Sequence, residues 1–172
     1  MNNNADYGVD QKGGGIYFGN SNSKFKNSTV IGNVSGRFGG AIYLYQSNLY
    51  LENLMVENNS AANSAVYFDE SDASGSNIII KENYSDGLYL YRSDAELDSF
   101  DIIMNYGVGI SIVASEPILT NFQIIDNDGS GLKIMNTNVN QNYPQIINTT
   151  IKGNYSHDNT GTYGNGGGVY IY

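Results

Sequence analysis

The chain of 172 residues has no cysteine, no tryptophan, two prolines and eight lysine and arginine residues. Without cysteine, neither a disulfide framework nor a thiolate metal site can form. The formal net charge is −9, and no basic stripe is present to neutralise a phosphate backbone, so we expect no nucleic-acid partner. Because no run of about 18 apolar residues occurs, we also expect no membrane span.

The chain is rich instead in residues that form turns and strands, including 21 glycines and 15 tyrosines. Its hydrophobic content of 40% is sufficient for a sizeable core. The length and composition together predict a single domain over residues 1–172.

A short motif recurs along the whole chain: a small residue, an aliphatic residue, usually a tyrosine, then a large apolar residue. The seven copies begin at Gly15, Ala41, Ala65, Gly87, Gly109, Gly131 and Gly168. The first six copies begin 22–26 residues apart, and the last interval is 37 residues. A repeat of this length indicates stacked repeats rather than a globular core. Because so short a unit cannot bury its own apolar face, the repeats must share one continuous core.

Asparagine marks two further positions in most repeats. One precedes each of the last six motifs: Asn33, Asn59, Asn83, Asn105, Asn127 and Asn154. The other lies six residues earlier: Asn27, Asn53, Asn77, Asn121 and Asn148, with Ser99 in the remaining repeat. If coils stack at the interstrand distance of roughly 4.8 Å, these amides lie above one another. We therefore predict two structural asparagine ladders, since an amide both donates and accepts.

Short runs that alternate apolar and polar residues lie between these turns, which is typical of strands. We predict an all-β fold, a right-handed single-stranded parallel β-helix of about six to seven coils with 22–27 residues per coil. A longer final interval predicts a loop insertion at about 155–166, which carries the lone His157. Neither end carries an evident cap, which predicts either a piece of a longer surface protein or self-association through the uncapped ends.

Three segments carry a family resemblance: Gly39-Gly40-Ala41-Ile42-Tyr43, Gly14-Gly15-Ile16-Tyr17 and Gly167-Gly168-Val169-Tyr170. They resemble the GGA-I repeats of chlamydial polymorphic outer-membrane proteins and related bacterial adhesin-like β-helices. The resemblance implies an exported passenger, secreted or displayed at the cell surface, that takes part in adhesion and needs no cofactor.

Tyrosines of the motif alternate with inward residues and are therefore predicted to form an outward ladder. Its members are Tyr17, Tyr43, Tyr67, Tyr89 and Tyr170, with Tyr45 and Tyr91 two residues further along their strands. Tyrosine combines apolar contact area with a hydroxyl, so this ladder is a candidate binding surface for a host or cell-surface glycan or protein. The alternative is that the rings only stack across neighbouring strands.

Acidic residues supply the remaining candidate sites. Asp126, Asp128 and Ser130 resemble the opening of a calcium loop, but Thr137 stands where such a loop has its final glutamate, so an ordinary turn is the alternative. No catalytic residues are predicted. The sequence therefore predicts a non-catalytic extracellular scaffold, adhesin-like or filament-forming. The alternative is a β-helix that binds or cleaves polysaccharide.

Overall fold

The structure is a computed structural model that describes residues 3–5, 11–135, 143–156 and 166–172. Within these residues the only regular elements are strands. They are β1 Asn4–Ala5, β2 Ile16–Gly19, β3 Lys24–Ile31, β4 Val34–Ser35, β5 Ile42–Tyr45, β6 Tyr50–Glu57, β7 Ser60–Asp69, β8 Ser74–Lys81, β9 Tyr84–Tyr91, β10 Glu96–Ile103, β11 Ile110–Val113, β12 Ile118–Thr120, β13 Gln123–Ile125, β14 Leu132–Met135, β15 Gln145–Ile147, β16 Thr150–Lys152 and β17 Val169–Ile171.

The strands form two sheets, and every pairing within them is parallel. Sheet one contains β3, β6, β8, β10, β12, β13, β15 and β16. Sheet two contains β1, β2, β4, β5, β7, β9, β11, β14 and β17, and it carries the tyrosine motifs. Each strand pairs with the equivalent strand one repeat away, as Ile42 does with Ile16 and Val66.

The chain therefore winds as a parallel β-solenoid, which confirms the predicted fold class. Equivalent asparagines lie 26, 24, 22 and 22 residues apart in successive coils. About five turns lie wholly within the described residues, slightly fewer than the six to seven predicted. The loop insertion predicted at about 155–166, with His157, lies mostly outside the described part of the chain.

The core fills the space between the sheets with columns of aliphatic side chains. Val30, Val56, Ile80, Ile102 and Ile124, each three residues before a turn asparagine, are all buried. A neighbouring column of sheet one contains aromatic rings, where Phe100 and Phe122 stack with centroids 5.0 Å apart. Such in-register packing gives one core that continues from coil to coil.

Each coil turns its corners with residues in the left-handed backbone region. Asn20, Gln46, Glu70, Arg92 and Ala114 have φ near +50° and end the strands of sheet two. The column of Asn27, Asn53, Asn77, Ser99, Asn121 and Asn148 has the same φ and bends sheet one in the middle. A third column, Gly32, Asn58, Glu82, Met104, Asp126 and Gly153, directly precedes the turn asparagines. Non-glycine residues seldom adopt this conformation, and asparagine does so more readily than most.

Candidate functional site

The motif tyrosines form a continuous stack on the outer face of sheet two. Tyr17, Tyr43, Tyr67 and Tyr89 occupy equivalent positions in four successive paired strands. Their ring centroids are separated by 5.5, 5.4 and 4.8 Å along the stack, with nearly parallel planes. The predicted stacking of these rings is present, and none of the four tyrosines belongs to the hydrophobic core cluster.

The middle of this tyrosine column is not exposed, which corrects the sequence prediction. Tyr43 is 1% and Tyr67 is 7% exposed, whereas Tyr17 is 50% exposed. Phe38 contributes to this cover, with its ring centroid 4.9 Å from that of Tyr67 and 6.3 Å from that of Tyr43, and Nζ of Lys12 lies 5.2 Å from the centroid of Tyr43. Burial raises the pKa of Tyr67 well above its ordinary value. Tyr43 donates a hydrogen bond to Asp69, which together with burial also raises its pKa.

A second column runs beside the first and contains Tyr45, Asp69 and Tyr91 on consecutive coils. Both tyrosines are partly exposed. Cationic groups lie over these rings, with Nζ of Lys12 5.8 Å from the centroid of Tyr45 and the guanidinium of Arg92 5.0 Å from that of Tyr91. The two columns together give a surface that combines aromatic rings, a carboxylate and cations.

A polar cluster ends the tyrosine column. The next positions after Tyr89 are Ser111, Lys133 and Tyr170. Nζ of Lys133 lies 6.0 Å from the ring centroid of Tyr170 and 5.7 Å from that of Tyr172. Replacing large rings by serine and lysine interrupts the stack, so this end of the face differs chemically from the rest.

Asp86 lies beside this cluster, and its environment changes the pKa of its carboxyl group. Its Oδ1 accepts a hydrogen bond of 2.8 Å from the backbone N–H of Val108, and Oγ of Ser111 lies 3.4 Å from Oδ2. Burial raises the pKa of Asp86 to about 6, against the opposing effects of these hydrogen bonds and of Lys133. The turn above it is tight, since a Cβ at Gly107 would lie 2.3 Å from Oδ1 of Asp86.

Sequence reasoning missed Asp86, although a signal was present. Asp86 pairs with Ser64, and the corresponding position of the next repeat is Val108. An acid in a column of small or apolar residues indicates a specific role. That signal appears when the repeats are aligned with one another along the chain.

The first asparagine ladder is confirmed from end to end. Asn33, Asn59, Asn83, Asn105, Asn127 and Asn154 each accept a hydrogen bond at Oδ1 from the side-chain amide one coil earlier, over 2.8–3.0 Å. Asn3 donates the first of these bonds, to Asn33. The inner members are buried, so the ladder satisfies polar groups that would otherwise be costly.

The second asparagine column forms a ladder over part of its length. Asn53 donates to Asn27 at 2.9 Å and Asn77 donates to Asn53 at 3.4 Å, both on the exposed surface. Further along, Asn121 donates to Asp98 rather than to a neighbour in the column. The shared property of the column is its left-handed backbone, so conformation rather than amide bonding accounts for the asparagines.

Serine forms a buried ladder that the sequence reasoning did not identify. The backbone N–H groups of Ser21, Ser47, Ser71 and Ser93 donate to the hydroxyls of Ser47, Ser71, Ser93 and Ser115 over 2.9–3.0 Å. Beside it, the backbone N–H of Asp94 donates to Asp72, and that of Glu116 donates to Asp94. The carboxylates of Asp72 and Asp94 therefore take part in corner hydrogen bonding.

The three residues of the candidate calcium turn differ in their exposure to solvent. Asp126 and Asp128 are exposed and Ser130 is buried, while Asn127 between the acids directs its amide into the asparagine ladder. Among the described residues, no group of three or more His, Cys, Asp or Glu side chains could hold a metal ion. Calcium binding at this turn stays a prediction.

Comparison with protein families identifies the architecture. Residues 14–172 match the family model described as a right handed beta helix region. The chain belongs to the right-handed β-helix family. No curated protein matches this β-helix, and none of its described residues form a helix that could cross a membrane. The family assignment establishes the fold of the coils.

Proposed function

We propose that this β-helix is a non-catalytic scaffold that presents a rigid surface for interaction. The asparagine ladder from Asn3 to Asn154 supports this proposal most directly, because it connects every described coil along the axis. A ladder of this kind makes one long object whose outer columns keep a constant spacing. Such geometry suits display and adhesion more than the assembly of a reaction centre.

Three of the basic side chains of the β-helix pair with acids on neighbouring coils. Lys26 contacts Glu52 at 2.6 Å, Lys81 contacts Glu57 at 3.2 Å and Arg92 contacts Glu70 at 3.3 Å, each between neighbouring coils. Exposed pairs contribute little to stability. They hold side chains of opposite charge together, whereas a glycosidase needs two carboxyl groups facing a substrate between them.

The outer face of sheet two is the interaction surface that we propose. Its accessible part consists of Tyr17, Tyr45, Tyr89, Tyr91 and Tyr170, and the buried Tyr43 and Tyr67 support their neighbours by stacking. Partly exposed tyrosines provide contact area and hydroxyl groups for a glycan or a protein partner. The resemblance to adhesin-like β-helices makes a secreted or cell-surface location the natural setting.

The alternative function is cleavage of a polysaccharide, and Asp86 is the observation that favours it. An acid with a pKa near 6 is suited to proton transfer near neutral pH. Lys133 and Ser111 are close enough to influence that acid. We favour the scaffold because the hydrogen bonds of Asp86 are with its own coil-to-coil neighbours, which is the pattern of a structural acid.

The test separates binding from cleavage. The purified chain is incubated with neutral and acidic polysaccharides, and new reducing ends and unsaturated uronates are measured against Asp86→Asn. We expect no product from either protein, and retention on at least one immobilised glycan or cell surface that the double variant Tyr45→Ser/Tyr91→Ser loses. Tyr50→Ser, on sheet one, is the matched control and should bind normally. Product formation that disappears in Asp86→Asn would replace the scaffold by an enzyme.

Self-assembly is a second form of the scaffold hypothesis, and microscopy distinguishes it from display of single molecules. Negative-stain images are taken over a range of protein concentrations. Filaments of uniform width would assign the scaffold role to assembly. Dispersed short rods would assign it to display and make the tyrosine face the surface to map.

A further inference from the structure

Two tyrosines stack on the outside of the corner that follows the asparagine ladder. Tyr84 and Tyr106 each come directly after a ladder asparagine. The backbone N–H of Tyr84 donates to the carbonyl of Asn59 at 2.8 Å, and that of Tyr106 donates to the carbonyl of Asn83 at 2.9 Å. These bonds hold the two tyrosines on neighbouring coils, apart from the tyrosine face of sheet two.

The rings of this pair lie close together and are open to solvent. The centroids of Tyr84 and Tyr106 are 4.9 Å apart, with an interplanar angle of 15°. The two residues are 56% and 60% exposed. Stacking between neighbouring strands explains why the rings touch. Because more than half of each residue is exposed, the pair combines close approach with access for a reagent from solution.

Two phenol rings held in this way can be joined by oxidation. An oxidant removes one electron and the phenolic proton from each tyrosine, which leaves two phenoxyl radicals. The radicals couple through a new bond between ring carbons ortho to the oxygens, and the protons on those carbons then move to the oxygens and restore both phenols. Hydrogen peroxide, used by a haem peroxidase, accepts the two electrons and two protons and becomes two molecules of water.

The folded chain supplies the proximity that this coupling requires. Radicals on separate molecules must first collide, whereas rings already held in contact react without that step. Exposed side chains also change their torsions within nanoseconds. The rings of Tyr84 and Tyr106 can therefore turn from stacking to the arrangement in which their ortho carbons meet.

Other stacked tyrosines of the described chain are less suited to this coupling. Each ring pair of the sheet-two column includes Tyr43 or Tyr67, which are 1% and 7% exposed and cannot turn freely. Tyr170 and Tyr172 also stack, but Nζ of Lys133 lies 6.0 and 5.7 Å from their centroids. A positive charge at this distance opposes the removal of an electron from either ring.

We infer that Tyr84 and Tyr106 form an oxidative modification site, at which a dityrosine bond joins two neighbouring coils. The bond links the same coils that Asn83 and Asn105 connect by a hydrogen bond. A covalent link of this kind restricts the unfolded chain and so stabilises the fold. The site depends on the stacking of two coils and not on the function proposed for the tyrosine face.

The experiment treats the purified chain, at low concentration, with a haem peroxidase and hydrogen peroxide. Dityrosine fluorescence reports the new bond, and intact mass reports the loss of two hydrogen atoms from the monomer. Trypsin cleaves after lysine and arginine, which places the two tyrosines in peptides 82–92 and 93–133. We expect these two peptides to be joined. Fragmentation should assign the bond to Tyr84 in the first and to Tyr106, the single tyrosine of the second.

Tyr84→Phe and Tyr106→Phe keep an aromatic ring but lack one phenol, so each should lose the joined peptides. Tyr172→Phe is the matched control, because Tyr172 is 61% exposed elsewhere on the molecule, and it should retain them. Oxidation should also raise the urea midpoint of the unaltered chain but not those of the first two variants. Circular dichroism before oxidation checks that all three variants are folded.

Free tyrosine in a parallel reaction shows that the oxidant is active. The inference is overturned if free tyrosine is converted to dityrosine and the joined peptides do not form. A bond that forms only between molecules overturns it as well, and so do joined peptides that persist in both Tyr84→Phe and Tyr106→Phe.

Discussion

The asparagine of each turn satisfies several polar groups from a single position. The side-chain amide of Asn105 donates to Oδ1 of Asn127 and to the carbonyl of Ile80, and its own Oδ1 accepts from the backbone and side chain of Asn83. Aspartate lacks the donor and leucine lacks both functions, so neither can replace it. The buried position makes each of these bonds important, because no water replaces a lost partner.

Asn105→Ala should therefore destabilise the chain strongly, since it leaves two N–H donors of Asn83 without their acceptor. We expect a loss of about 2–4 kcal/mol in the free energy of unfolding. Urea denaturation followed by circular dichroism measures it. The control is Asn77→Gly, in the exposed column, which keeps the left-handed backbone of φ +54° and should change stability by less than about 1 kcal/mol. Equal losses in the two variants would contradict a special role for the ladder.

Asp86 should make stability depend on pH in a direction opposite to that of an ordinary paired carboxylate. Its pKa in the folded chain is about 6, above its ordinary value of 3.8, so the folded state binds this proton more tightly. The resulting stability is fully present below about pH 3.8 and is lost as the pH rises through about 6.

Asp86→Asn, which keeps an acceptor for the N–H of Val108, isolates this effect. The free energy of unfolding of the unaltered chain minus that of the variant should fall by on the order of 1–3 kcal/mol between acidic and neutral pH. Denaturant titrations at a series of pH values measure the difference and cancel the contributions of the other acids. A difference that stays constant with pH would show that Asp86 titrates normally.

At the scale of the element, an outward position in a strand does not determine exposure. Alternation along β5 and β7 predicts correctly that Tyr43 and Tyr67 leave the sheet on the side away from the core. It does not predict that Phe38, in the turn before β5, covers both rings. Phe38 lies in an irregular segment, and its bridge partner on the preceding coil is Lys12 rather than another aromatic residue. The repeat pattern therefore does not predict the cover.

Replacing the covered Tyr67 should lower the free energy of unfolding more than replacing the exposed Tyr17. Tyr67→Ser loses the contacts with Phe38 and with the tyrosines on both sides, and we expect a cost of about 3 kcal/mol. Tyr17→Ser removes a ring that is 50% exposed and stacks on Tyr43, with an expected cost of about 1 kcal/mol. Thermal unfolding of the two variants provides the comparison. Similar melting temperatures would argue against the cover formed by Phe38.

On the scale of the whole molecule, features that recur in every coil could be predicted from the sequence. Residues that depart from the repeat in a single coil could not. The buried aliphatic column and the ladder through Asn83 and Asn105 recur once in each coil, at intervals of 22–26 residues, so the sequence alone locates them. Asp86 and Phe38 each depart from the repeat in a single coil, and their roles become apparent only when the stacking brings specific neighbours together. The candidate sites are therefore less predictable than the fold.

Stacked coils also predict how the effects of mutations combine across the molecule. In a solenoid each coil contacts chiefly its neighbours, so coupling should decay within one or two coils. Asn83→Ala and Asn105→Ala affect the same hydrogen bond, and their double variant should lose less stability than the sum of the single losses, by about 0.5–3 kcal/mol. Asn59→Ala and Asn127→Ala lie three coils apart, roughly 14 Å, and should be additive within about 0.5 kcal/mol.

Denaturant unfolding of the four single and two double variants measures both couplings under one set of conditions. The distant pair serves as the control for the adjacent pair, because it changes the same residue type in the same ladder. Additivity in both pairs would mean that the ladder bonds act independently. Strong coupling in the distant pair would mean that the ladder transmits strain along the axis, and the nearest-neighbour description of this β-helix would then be wrong.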